Sequence, residues 1–235
     1  MIRSKIRSIA FLIVLIIIII AVVGVGAFVV YYVNQNNNNT AITITQNKLD
    51  LFKSTVNEMI SLAENFYGGS WFALDNGTFY AIYNGRGGYD VVYINGTTAT
   101  ISQNLFYDKQ AFFPYAQSNT PPTAGILIIL SNSTKDDGAL IMLFGYYWNS
   151  TPNPAQETYE QILNESTSSH PGALMGMRGN NIWMYSEGIT GESNLYIELN
   201  QNEVVAISTI YVNTSLDQLQ TFVSKEEDLL KSLES

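Results

Sequence analysis

The chain of 235 residues contains no cysteine. Disulfides, thiolate chemistry, Cys-ligated zinc and iron–sulfur clusters are excluded, so any fold must be held by an ordinary apolar core. Histidine occurs once, as His170 in Ser169-His170-Pro171-Gly172, where Pro-Gly marks a turn rather than a catalytic platform. Charge is scarce as well, since Asp, Glu, Lys and Arg make up 13% of the residues. The surface must then be built mainly from Asn, Ser, Thr, Gln and Tyr. Such a surface depends little on ionisation and suits an acidic exterior.

Positive charge is the scarcest kind. Three of the 11 basic residues are Arg3, Lys5 and Arg7, which leaves eight against 20 acids after residue 33, a balance of −12. That excess argues against nucleic acid and against docking on anionic lipid. Catalytic signatures are missing too. There is no Gly-x-Ser-x-Gly elbow, and Asp75-Asn-Gly-Thr78 reads as a turn without the second copy an aspartic hydrolase needs. Asp136-Asp137-Gly138 lacks the alternating oxygen ligands of a calcium loop, and Gly85-Arg-Gly-Gly88 precedes a strand rather than a phosphate-binding helix. The expectation is a non-enzymatic protein with no catalytic residue, metal or cofactor.

What is present in abundance is one apolar run. Residues 9–33, from Ile9 through Ile16–Ile20 to Tyr31-Tyr32-Val33, carry no charge or amide. As a helix rising ~1.5 Å per residue the run is about 37 Å long, enough to cross a hydrocarbon core of roughly 30 Å with some tilt. Its isoleucines favour strand in water, but hydrocarbon offers the backbone no partner, so a single segment must bond internally as a helix. The basic tail 1–8 precedes it and Lys48 is the first charge after it. The positive-inside bias puts the N-terminus in the cytoplasm and residues 34–235 outside, with Tyr31 and Tyr32 at the outer interface. The bilayer is therefore one expected partner, through residues 9–33.

Two other fates of the run stay open. Val25-Gly26-Ala27 fits a small-residue processing site of a secretory signal. Arg7-Ser8 followed at once by the apolar run resembles the class III signal of archaeal type IV pilins and of some archaeal solute-binding proteins. That resemblance implies cleavage after Ser8, with the hydrophobic helix retained as filament core or anchor. It covers about 25 residues and points to an archaeal, or archaeal-viral, surface protein.

Seven Asn-x-Ser/Thr sequons begin at Asn38, Asn76, Asn95, Asn132, Asn149, Asn164 and Asn213, and outside the cell each is a glycosylation candidate. For Asn76 and Asn95 a second reason exists, because Asn-Gly is the preferred type I′ hairpin dipeptide.

Along the chain, residues 34–46 are an Asn-rich tether, and 47–235 form one extracytoplasmic domain. Leu49, Phe52, Val56, Met59/Ile60, Ala63 and Phe66 recur at helical spacing before Gly68-Gly69, which predicts an amphipathic helix over 47–67. Two tandem hairpins follow, centred on Asn76-Gly77 and Asn95-Gly96, then a long aromatic loop over 103–123. Gly125–Leu130 and Ala139–Tyr147 are nearly all apolar and predict central strands. Pro154 suits the first turn of a helix to about Asn164. Strands near 174–178, 182–187, 194–199 and 204–212 come next. Ser215-Leu-Asp-Gln218 is a capping box opening a final helix with Leu216, Leu219, Phe222/Val223, Leu229/Leu230 and Leu233 on its apolar face. The fold class expected is α+β, a mostly antiparallel sheet with amphipathic helices on one face.

Aromatic residues are in surplus, with Tyr67, Trp71, Phe72, Phe79, Tyr80, Tyr83, Tyr89 and Tyr93 crowding the first hairpins and Phe106, Tyr107, Phe112, Phe113 and Tyr115 loading the loop. They are either core pairs or a sheet face for a glycan or protein partner. The reading as a whole is a single-pass, glycosylated surface domain. A pilin-like filament subunit and an extracytoplasmic ligand-binding or hydrolytic domain are its alternatives, and the oligomeric state is left open.

Overall fold

The computed structural model describes residues 46–102, 120–134, 138–149, 154–157, 159–160, 164, 173–187 and 193–234. Within them the chain runs from helix α1 (Gln46–Tyr67) through ten strands to helix α2 (Leu216–Glu234). The strands are β1 (Phe72–Ala73), β2 (Phe79–Tyr83), β3 (Gly88–Tyr93), β4 (Thr98–Ser102), β5 (Ala124–Ser131), β6 (Leu140–Tyr147), β7 (Leu174–Arg178), β8 (Asn181–Glu187), β9 (Ser193–Leu199) and β10 (Glu203–Ile210). They form one sheet in the order β4-β3-β2-β5-β6-β10-β9-β8-β7, with β1 added to β5. Every pairing is antiparallel. The chain is thus α+β with a dominant antiparallel sheet.

Sequence hydropathy explains the strand order. All eight residues of β5, Ala-Gly-Ile-Leu-Ile-Ile-Leu-Ser, are buried, as a strand with both faces covered requires. Neighbouring strands split by alternation: Val205 and Ile207 of β10 join the core beneath the helices, while Val204, Ala206 and Ile210 join the opposite core. The helix-side core takes Phe52, Val56, Met59 and Ala63 from α1 and Leu219, Phe222, Val223, Leu230 and Leu233 from α2. Burying each of the larger of these stabilises the fold by about 1.5–3 kcal/mol relative to exposure. On the other face Phe79, Tyr89, Tyr93, Tyr146 and Trp148 pack with Ala155 and Tyr159.

The two helices lie antiparallel. Lys48 near the start of α1 donates to the Leu233 carbonyl at the end of α2 (2.6 Å), where the helix dipole favours a cation. At the other end the Tyr67 and Thr214 hydroxyls meet at 2.7 Å. Gly68, at φ 72°, stops α1 in the left-handed conformation glycine tolerates, its N–H bonded to the Glu64 carbonyl. The capping box forms as the sequence predicts: Ser215 N–H donates to Gln218 Oε1 (2.9 Å) and Gln218 N–H to Ser215 Oγ (3.4 Å).

One hairpin is not where the Asn-Gly signal puts it. Residues on both sides of Asn76-Gly77 pair with the same strand, β1 with Leu130 and Ser131 and β2 with residues 124–127 of β5, so the segment is a bulge within one run of pairing and not a hairpin tip. Ile129 bridges the bulge: its carbonyl accepts from the Leu74 N–H (2.9 Å) and from the buried Thr78 hydroxyl (3.3 Å), while its N–H donates to that hydroxyl instead of to a backbone carbonyl (3.1 Å). The tandem hairpins are instead β2–β3, turning through Gly85 and Gly87 at positive φ, and β3–β4, turning at Asn95-Gly96. The tail 1–8, the apolar run 9–33, most of the tether and loop residues 103–119 lie outside the described residues. Among the described residues no helix is long and apolar enough to cross a membrane. Of the helix expected over 154–164, residues 155–157, 159–160 and 164 are helical, with Ala155 and Tyr159 buried.

Candidate functional site

The apolar stripe of α2 runs Leu219, Phe222/Val223, Leu230, Leu233, and the position that continues it between Val223 and Leu230 is Glu226. Its side chain is fully buried between α2 and the sheet. Beneath it lies Gly145, set in a cross-strand row of Ile126, Gly145, Val205, Glu198 and Trp183 on β5, β6, β10, β9 and β8. A Cβ at residue 145 would come within 2.6 Å of Leu230 Cδ1 and 2.9 Å of Glu226 Oε1. Glycine is there because the carboxyl and the leucine occupy the space of its side chain. Neither oxygen of Glu226 has a hydrogen-bond partner, and the same is true of Glu203 Oε2 nearby.

Beside this acid stands a clamp built from three strands and α2. Arg178, last residue of β7, reaches the fully buried Glu198 of β9 through Nε and Nη2 (3.0 and 2.9 Å), Glu227 of α2 through Nη2 (3.0 Å) and Ser224 through Nη1 (3.0 Å). Asn181 of β8 donates to both carboxylates, and Tyr196 of β9 donates to Glu198. The β7–β8 hairpin makes the geometry possible: its two-residue turn, with Gly179 at φ 62°, sets Arg178 opposite Asn181 on the helix side. Glu203 at the start of β10 accepts from Lys231 (3.0 Å) and Asn200.

Four glutamates therefore face two cations, Arg178 and Lys231. Burial pushes the Glu226 carboxyl well above the ordinary carboxylate range, and the Glu227 and Glu203 charges push it further. Burial also raises Glu203, against Asn200 and Lys231, and raises Glu227 together with Glu198, against Arg178. Burial alone would lower the Arg178 guanidinium, but Glu198 and Glu227 hold it higher. Burial and the Glu198 contact raise the Tyr196 phenol. A carboxyl sealed under a helix meets no bulk substrate; the ligand that reaches it is a proton. Among the described residues no group of His, Asp or Glu is arranged to hold a metal ion.

The sequence-predicted positions fall elsewhere. Asn76, Asn95, Asn132, Asn149, Asn164 and Asn213 are all exposed, whereas Asn38 lies outside the described residues. At Asn95 the side-chain oxygen accepts from both the N–H and the hydroxyl of Thr97 (2.9 and 2.7 Å), so the amide nitrogen that carries a glycan is outside both bonds. Asn132 likewise uses Oδ1, accepting from the Ala139 N–H. Trp71, Phe79, Tyr80, Tyr89 and Tyr93 are buried as core, leaving only Tyr67, Phe72 and Tyr83 of the first aromatic group partly exposed. His170, Asp136 and Asp137 lie outside the described residues. An open furrow beside α1 is lined by Ser54, Asn57, Ser61, Leu62, Asn65 and the exposed Glu58–Lys225 pair (2.6 Å).

None of the four glutamates stands out by motif. Glu226 alone leaves a trace, a carboxylate at a stripe position flanked three residues before and four after by apolar side chains. Neither a protein family nor a curated protein matches the chain.

Proposed function

We propose that the protein is a single-pass, membrane-anchored and N-glycosylated surface domain of interaction or structural role, of archaeal or archaeal-viral origin. Residues 9–33 hold it in the bilayer, residues 1–8 stay inside and residues 34–235 face the exterior. The observation that supports the reading best is the exposure of Asn76, Asn95, Asn132, Asn149, Asn164 and Asn213, spread over turns and element ends of one domain. A charge balance of −12 beyond the run and the absence of cysteine fit an exterior surface of low ionic dependence. A protein or glycan partner is met by this outer surface rather than by the buried aromatics.

Protease treatment of intact cells tests the topology. The expected result is loss of domain peptides with survival of a fragment spanning residues 9–33; a domain that resists until the cells are lysed would overturn it. A pilin-like filament subunit is the second reading, favoured by Arg7-Ser8 ahead of the apolar run, and a mature N-terminus at Ile9 together with filaments selects it.

A further inference from the structure

We propose that Glu226 is a proton latch: α2 stays closed on the sheet while this buried carboxyl carries a proton, and loss of the proton opens the helix. The geometry carries it. Glu226 is fully buried at the α2–sheet interface, both oxygens lack partners, and Gly145 gives it room without giving it a donor. An ionised carboxylate in that position would have neither water nor a hydrogen bond.

The surrounding groups set the direction. From its own helix come Glu227, Asp228 and Lys231; from β10, Glu203; from β9, Glu198 and Tyr196; from β7, Arg178. β6 offers Gly145 and Tyr147, β8 offers Asn181, and β5 offers only apolar residues there. Arg178 is already engaged by Glu198 and Glu227, and Lys231 by Glu203. A new negative charge at Glu226 meets committed cations and like-charged neighbours. α1 adds Glu58, which pairs at the exposed surface with Lys225 of α2, the residue before Glu226.

The sign follows from linkage. The closed state binds the Glu226 proton more tightly than the open state, whose carboxyl titrates near ~4.3. Closure by this group is therefore complete below that pH and is lost as pH rises toward the closed-state value. Between the two, opening grows about tenfold per pH unit for one proton.

Hydrogen exchange on the full-length protein in detergent micelles tests this, following amides of residues 222–231 from pH 4 to 8 in wild type and Glu226→Gln. The protection ratio of variant to wild type is expected to climb about tenfold per pH unit within the window. A ratio that is flat with pH overturns the latch, because a purely packing effect of the substitution shifts protection equally at every pH. Wild-type protection that stays constant to pH 8 also overturns it. Should the glutamine variant fail to fold, Glu226→Met, unbranched and similar in length, carries the same comparison: a pH-dependent ratio supports the latch and a flat one removes it.

Discussion

Gly145 and Glu226 make one unit at the scale of single residues. A glycine in the middle of a central strand weakens it unless something needs the space, and here Leu230 and the Glu226 carboxyl do. Gly145→Ala should therefore cost about 1–3 kcal/mol through overpacking, read as a lower denaturant midpoint at acid pH with an unchanged slope. A neutral or stabilising result would mean that the helix does not press on that strand. Of this pair the sequence showed half. The α2 stripe was legible from Leu219, Phe222/Val223, Leu230 and Leu233, and Glu226 stood as the break in it. Its meaning was not legible, because what a carboxyl at a stripe position costs depends on the strand beneath it. The Arg178–Glu198–Glu227 clamp was hidden for a related reason. Glu198 and Glu227 lie 20 and 49 residues from Arg178 and meet it only through the register of three strands and a helix.

Elements formed where local chemistry and burial agreed. α1, β5, β6, the Asn95-Gly96 hairpin and α2 with its cap all follow from periodicity and turn residues. Asn76-Gly77 is the instructive exception. Its dipeptide favours a hairpin, yet the Thr78 hydroxyl takes the Ile129 N–H while the Leu74 N–H takes the Ile129 carbonyl, and the chain resumes pairing with β5. A side chain substituting for backbone is invisible to turn propensity. β7 carries a different message, since Met175 and Met177 are 56% and 68% exposed on a sheet edge that sequence alternation alone does not distinguish from a covered one. At the start of α2, Ser215→Ala removes half of the reciprocal cap and is expected to lower stability by about 1 kcal/mol. Thermal unfolding should register this as a drop of a few degrees; an unchanged midpoint would show that the α2 packing alone fixes that end.

At the scale of the whole molecule, the described residues form an antiparallel sheet with a core on each face. Two helices close one face, and the six described sequon asparagines are exposed. Fold class and helix placement were within reach of the sequence because hydropathy alternation counts faces. The proposed membrane topology rests on a few residues: Arg3, Lys5 and Arg7 at one end of the run, Tyr31 and Tyr32 at the other. Intact-mass and N-terminal analysis of the protein purified from its native membranes tests anchoring and glycosylation together. The account predicts a chain that keeps the apolar run and exceeds the 26.1 kDa polypeptide by glycan increments that map to exposed asparagines. A chain beginning after Ala27, or one with the bare polypeptide mass, would contradict it.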